Sequence, residues 1–393
     1  MSSSFVTNWP NMNKKYLKIY LFGVWILVVA FGNNLLIQYF GKCIGLHKKE
    51  TSTSSSSYMN KGNTTQRELN LKYFRITWYN VPQILNLRPE ALYSGFERCN
   101  YSNCKMSFNK VDAGYSDAII FHAGYKFPRK LSFKRPNGQV WIFYDHEPPY
   151  RYKTMRHRSL PNNSFNWTMT YDANVSDIHL PYGEITNKSY KVNSSEDVLM
   201  RSKNRTALLI MSHCNTPADR LRYVNQLKKF IDVDILGRCG TNWSCGILHK
   251  HDNCFEILNR YKFFLAFENS FCNNYFTEKV FDNFDYDTVL VTRGGNKGQI
   301  NQILPDGTFI STDNFRNAKE LGLYLKSIKD ETYLNIIRRK QKFTSFKSYE
   351  SVYQKAMCEI CKRMNNAHIF KKTIKNINTW AFSSNPCIPP GDF

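Results

Sequence analysis

YKFFLAFENSFCNNYFTEK (261–279) opens as seven residues of which only Lys262 is charged, and closes as a polar cluster. A near-continuous apolar run of this length suits a strand buried on both faces. Runs of the same kind recur as YFRITWY (73–79), DAIIFHA (117–123), VWIFYDHEPP (140–149), ALLIMSHC (207–214), VDILG (233–237) and TVLVTRGG (288–295). Helical stretches separate some of them. PADRLRYVNQLKKFI (217–231) sets Leu221, Val224, Leu227 and Ile231 on one face, and FTEKVFDNF (276–284) reads as another helix. Strands alternating with helices predict parallel α/β sheets.

Open parallel sheets bind ligands at the carboxyl ends of their strands. That rule puts Glu268, Asn269 and Ser270 at such an edge, with Glu278 and Lys279 in the first turn of the next helix. A helix start favours anions. Lys279 there suits a phosphate, and Glu278 suits sugar hydroxyls. Ser212, His213 and the helix bearing Arg220 fall on the same edge. The pattern reads as a phosphate-and-ribose site, although neither a G-x-x-x-x-G-K-[ST] nor a G-x-G-x-x-G loop is present. In the earlier half, VWIFYDHEPP brings Asp145, His146 and Glu147 to a strand end before Pro148 and Pro149. A carboxylate there, facing a second domain, suits a general base. Asp232-Val-Asp234 and Asp285-Tyr-Asp287 imitate a D-x-D metal motif and read as structural or surface carboxylates.

The chain has 393 residues, 42% of them hydrophobic, which is enough for one large or two ordinary domains. Its formal charge is +23, from 54 basic and 31 acidic residues. Such an excess fits an anionic partner, yet no recognised nucleic-acid motif accompanies it. The basic stretch Arg338–Lys375 reads as a solvated helical face. Residues 19–41 carry no charge and suffice for one membrane-spanning helix. Beyond them lie nine N-glycosylation sequons, at Asn63, Asn100, Asn162, Asn166, Asn174, Asn187, Asn193, Asn204 and Asn242. The eleven cysteines also lie there, as an oxidising compartment favours. Cys99/Cys104, Cys239/Cys245 and Cys358/Cys361 are spaced for disulfides or zinc; disulfides are favoured, with connectivity open. HKKETSTSSSSYMNKGNTT (47–65) reads as a flexible stem.

These residues resemble the α1,3-fucosyltransferases, Golgi enzymes that move fucose from GDP-fucose onto N-acetylglucosamine-containing glycans. FENSFCNNYFTEK (267–279) is similar to that family's signature: F-E-N-S, three residues, Asp-Tyr, one residue, Thr-Glu-Lys. FNWTMTY (165–171) with SDIHLPYG (176–183) resembles a second family block. The resemblance covers about residues 70–365. It implies a GT-B-like α/β fold: two Rossmann-like domains facing across a cleft, preceded by a transmembrane helix and a stem. The expected layout is a cytosolic tail (1–18), a signal anchor (19–41), a stem (42–69), an acceptor-side domain (70–200), a GDP-fucose-binding domain (201–365) and a C-terminal tail (366–393).

By the same resemblance Glu147 is the general base. Asn269 and Tyr275 contact the donor, Glu278 holds its ribose, and Lys279 and Arg220 hold its diphosphate, with Arg222 close enough to compete with Arg220. The implied reaction inverts the anomeric carbon and requires no metal; manganese is at most stimulatory. The implied partners are GDP-fucose, a glycan acceptor and the Golgi membrane, not nucleic acid. Three positions depart from the family pattern. Asn274 replaces the signature aspartate, VLVTRGG replaces a V-P-V strand, and Asp172 follows Tyr171 where a basic residue often stands. These departures motivate the alternative of an inactive, glycan-binding family member.

Overall fold

The computed structural model describes residues 72–82, 95–152, 155, 157–189, 195–241, 254–347, 352–384 and 386–393. The expected tail, anchor and stem lie outside them. Among the described residues no helix is long and apolar enough to cross a membrane.

Six strands build the first sheet: β1 (Phe74–Trp78), β2 (Cys104–Ser107), β3 (Ala118–His122), β4 (Val140–Tyr144), β5 (Trp167–Thr170) and β6 (Ile178–His179). Their order is β2-β1-β3-β4-β5-β6, and every neighbouring pair is parallel. The apolar runs are continuous because both faces are covered. Ile120, Ile142 and Tyr144 enter one core, while Ile119, Phe121, Trp141 and Phe143 enter the other.

After β7 (Gly183–Asn187), the second sheet comprises β8 (Arg205–Ile210), β9 (Val233–Leu236), β10 (Tyr261–Phe267), β12 (Val289–Arg293) and β13 (Phe309–Ser311). It too is wholly parallel, in the order β13-β12-β10-β8-β9. Phe263, Leu265 and Phe267 of β10 face one core, and Phe264 and Ala266 the other. From β8 the chain moves outward to β9, then returns to place β10 on the other side of β8. The carboxyl ends of β8 and β10 thus flank the point where strand order reverses, the crevice where open α/β sheets bind ligands. Two parallel sheets of this kind fit the expected GT-B-like class.

The halves are more interlaced than the layout 70–200 and 201–365 supposes. β14 (Phe343–Lys347) runs back antiparallel to β7. The helix Tyr353–Asn365 then buries Tyr353, Ala356, Met357 and Ile360 in the core of the first sheet, not the second. The stretch 366–393 is not a loose tail either. Its helix Ile377–Ser383 packs Ile377 and Ala381 on the first sheet's other face. Its last strand, β15 (Cys387–Ile388), pairs with β11 (Phe271–Cys272) in the second half.

The disulfides follow this path and settle the connectivity that spacing left open. Cys99 bonds Cys358, Cys104 bonds Cys361, Cys214 bonds Cys239 and Cys272 bonds Cys387. Cys358 and Cys361 stand three residues apart on one helix, so they share a face and reach separate partners on the first half. Cys245 lies outside the described residues. The basic stretch also holds a surprise. Lys340 is 4% exposed and donates to the Tyr286 and Thr288 carbonyls, so it is not solvated.

Candidate active site

All six expected site residues, Glu147, Arg220, Asn269, Tyr275, Glu278 and Lys279, line one cavity of about 490 Å³. Each arrives from the carboxyl end of a strand. After β4, buried Asp145 accepts the Glu147 N–H at 2.9 Å, and Pro149–Arg151 form a single 3-10 turn. Glu147 is thereby turned toward the second half, where the Tyr275 hydroxyl donates to its Oε2 at 3.2 Å. Asn269 Nδ2 donates to the same hydroxyl at 3.4 Å, and Asn269 Oδ1 is buried without a partner among the described residues. Burial in the cleft, with the Asp145 charge behind it, pushes the Glu147 carboxyl above its ordinary range; Arg151, 3.9 Å away, pulls against this. A carboxyl so placed is more basic than a free one, which suits proton abstraction.

Thr277 caps the next turn, and its N–H and hydroxyl are held by the fully buried Glu268 at 2.8–3.0 Å. Lys279 Nζ lies 2.7 Å from Thr277 Oγ1, 2.9 Å from Glu278 and 3.3 Å from Glu268. Burial works against the Lys279 charge, but the two carboxylates outweigh it and raise its pKa, so it stays an ammonium. Partial desolvation pushes the half-exposed Glu278 up, but Lys279 outweighs it and holds that carboxylate ionised. The expected helix over 276–284 contracts to one turn, Glu278–Phe281. So short a helix has almost no macrodipole, and attraction for an anion must come from side chains.

Arg220 supplies that attraction best. Its helix, Arg220–Leu227, starts after Asp219, which holds a left-handed φ of 45°. This kink sends the 2% exposed guanidinium back to the strand ends, where it donates to the Phe267 and His213 carbonyls at 3.2 and 3.0 Å. Among the described residues no carboxylate lies within ion-pair distance of it, although Glu268 and Glu278 are near enough to favour its charged form. Arg222 instead points to Asp219 and the Phe393 ring, off the cavity. The local field is positive enough to act on His213. Its burial, and then Arg151, Arg238, Arg220 and Lys279, push its pKa down.

Residues 74–183 match the family described as "Fucosyltransferase, N-terminal", and residues 200–380 match "Glycosyltransferase family 10 (fucosyltransferase) C-term". The chain belongs to the family 10 fucosyltransferases. Alpha-(1,3)-fucosyltransferase C of Drosophila melanogaster is 31% identical over 336 residues, 79% of this chain and 75% of that one. Glycoprotein 3-alpha-L-fucosyltransferase A of the same organism is 32% identical over 291 residues, 72% of this chain but 55% of its own length. Alpha-(1,3)-fucosyltransferase 4 of Homo sapiens is 31% identical over 328 residues, 72% of this chain and 59% of that one. This chain therefore spans a little over half the length of the last two. A crystal structure of an alpha1,3-fucosyltransferase with GDP-fucose shares the fold at a TM-score of 0.50 and 16% identity, covering 81% of this chain and 96% of that one.

In this fucosyltransferase the D-x-D stretches stay off the cleft. Asp234 pairs with Arg205 and Tyr261 at the opposite end of β8, and Asp285 and Asp287 line a separate cavity with Lys340. Among the described residues no group of three His, Cys, Asp or Glu side chains is disposed to hold a metal. Among the charged groups that went unnamed as site residues in the sequence reading, Arg151 and His213 line the cavity, and Glu268 lies behind it, holding Thr277. Glu268 and His213 were placed at the right edge by the strand rule. Arg151 carries no such signal, because only the 3-10 turn brings it back over Glu147.

Proposed function

We propose that this fucosyltransferase transfers fucose from GDP-fucose, with inversion, in α1,3 linkage to N-acetylglucosamine of glycoprotein or glycolipid glycans. The observation that carries the reading is one cavity with a raised carboxyl, Glu147, at one wall and the cations Arg220 and Lys279 at the other. Glu147 takes the acceptor hydroxyl proton as that oxygen bonds to the anomeric carbon. The bond from that carbon to the diphosphate breaks, and GDP leaves with the electron pair. Arg220 and Lys279 meet the charge growing on the leaving diphosphate, and fixed charges of this kind act strongly because they need no rearrangement. Glu278 receives the ribose hydroxyls, while Asn269 and Tyr275 hold the donor beside Glu147. The α1,3 linkage is supported by the names of the relatives, and the donor by the GDP-fucose of the solved relative.

The proposed location is the Golgi membrane, single-pass type II, with the catalytic body in the lumen. The uncharged run 19–41, the sequons beyond it and four disulfides among the described residues support this. The test is a transfer assay on the full chain with GDP-fucose, an array of N-acetylglucosamine-containing glycans and a chelator. Fucosylated product is expected, lost in Glu147→Gln. Folded protein that binds glycans without turnover, even with manganese restored, would replace this reading with the inactive family member.

A further inference from the structure

Two departures from the family pattern meet in the folded chain. Asn274 Nδ2 donates to Asp172 Oδ1 over 2.9 Å. Asp172 follows β5 in the first half, and Asn274 follows β11 in the second. Asp172 is 1% exposed; its Oδ1 also accepts the Asn174 N–H at 3.0 Å, and its Oδ2 is buried with no partner among the described residues. Asn274 is held equally firmly. It sits in the left-handed region at φ 53°, where asparagine is better tolerated than most residues, and its N–H donates to Gln299 at 2.8 Å. Neither side chain faces the cavity that holds Glu147.

Each partner adjoins a tyrosine. Tyr171 precedes Asp172, Tyr275 follows Asn274, and the two rings meet edge to face with centroids 5.0 Å apart. Tyr275 then reaches Glu147 through its hydroxyl. The bridge and the ring contact together form a two-point seat for Tyr275 across the halves.

We propose that Asp172 and Asn274 are one coupled exchange, and that they are positioning residues which seat Tyr275 against Glu147. In the family pattern a basic residue often stands at the first position and an aspartate at the second. Here the negative charge has crossed the contact and an amide answers it, so an N–H to oxygen bond survives with its polarity reversed. Restoring only one side would defeat the contact. Asn274→Asp alone would set two carboxylates face to face in a buried place, which strongly disfavours ionising both.

The proposal rests on the transfer reading, and its test keeps the two apart. The full-length variants are N274D, D172A, D172N and the double variant D172K/N274D, each measured for kcat, GDP affinity by calorimetry and thermal midpoint. N274D and D172A are expected to lower kcat about tenfold to a hundredfold, as small displacements in an active site do, while GDP still binds through Arg220 and Lys279. D172N keeps an acceptor for Asn274 and should retain more activity than D172A. The double variant should recover activity over N274D, because lysine and aspartate can pair again. Unchanged kcat in N274D and D172A with lowered midpoints would reduce the bridge to a structural contact and overturn positioning. A double variant no better than N274D would overturn the coupled exchange. A wild type without turnover would sink the transfer reading alone; the exchange then stands or falls on whether the double variant melts above N274D.

Discussion

At the scale of single residues, partial desolvation and nearby charge decide the chemistry. Glu147 is the clearest case: its carboxyl is raised first by desolvation in the cleft, then by Asp145. A base with a raised pKa is protonated earlier as pH falls. The acid limb of kcat/KM should therefore lie above the ordinary carboxylate range of about 4, and a pH–rate profile reads it directly. Glu147→Gln should cost about 10²- to 10⁴-fold in kcat while leaving GDP affinity intact. Lys279→Ala should cost about 10²- to 10³-fold by analogy with lost oxyanion donors, with GDP affinity falling as well. Lys340 is a buried cation of another sort. Desolvation lowers its pKa to about 7, despite the attraction of Asp287 and Asp285. Folding thus sheds a proton between that value and the ordinary 10.5. In that window the unfolded chain binds more protons, so stability rises with pH, by at most about 1.4 kcal/mol per pH unit. Denaturant melts from pH 7 to 9 should show this slope in the wild type and a flatter one in Lys340→Met. Sequence alone made Lys340 one more charge on a solvated face, because nothing local reveals that two carbonyls and the second half's core close over it.

At the scale of elements, most strands were legible and most partners were not. The runs 117–123, 140–149 and 261–270 announced doubly covered parallel strands, since neither face shows polar alternation. The strand-end rule put Glu147, Arg220, Asn269, Glu278 and Lys279 at strand ends, and the family resemblance added Tyr275; all six line one cavity. What it could not supply was which loops cross to the other half. The V-P-V departure is an example. Arg293 ends β12, is 1% exposed, and is clamped by Asp392 through two bonds of 2.7 Å. Its Nη1 also donates to the Ala218 carbonyl at 2.6 Å, two residues before Arg220. A partner a hundred residues downstream leaves no local signal. Asp392→Asn should cost about 2–3 kcal/mol in urea unfolding, the scale of a charged hydrogen bond lost from a buried group. The second family block holds a parallel lesson. Asn166 is a formal sequon, yet its amide receives Arg135 and the Trp141 N–H and donates to the Lys372 carbonyl. A glycan there would break that amide's donor bond, so peptide mass spectrometry should find Asn166 unmodified.

At the scale of the whole molecule, the halves are tied by a chain that leaves the first, builds the second, and returns. Cysteine spacing left the connectivity open; the bonds Cys99–Cys358 and Cys104–Cys361 close spans of 259 and 257 residues. Long closures constrain the unfolded chain most, and each such bond is worth about 2–5 kcal/mol. Replacing Cys358 and Cys361 with serine should therefore lower the denaturation midpoint and free the helix Tyr353–Asn365 from the first sheet, visible as faster amide exchange there.

The return of that helix also sets an order of events during synthesis. Chain growth runs at roughly 5–20 residues per second. The first six strands are thus made roughly 10–35 seconds before the helix that completes one of their cores. Through that interval a broad apolar face stands uncovered, and Cys99 and Cys104 wait, close together, for native partners not yet made. A premature Cys99–Cys104 bond is the natural error, and the chain should need an isomerase to undo it. Pulse-labelled nascent protein, trapped by alkylation, should pass through that short-range bond before the long ones form.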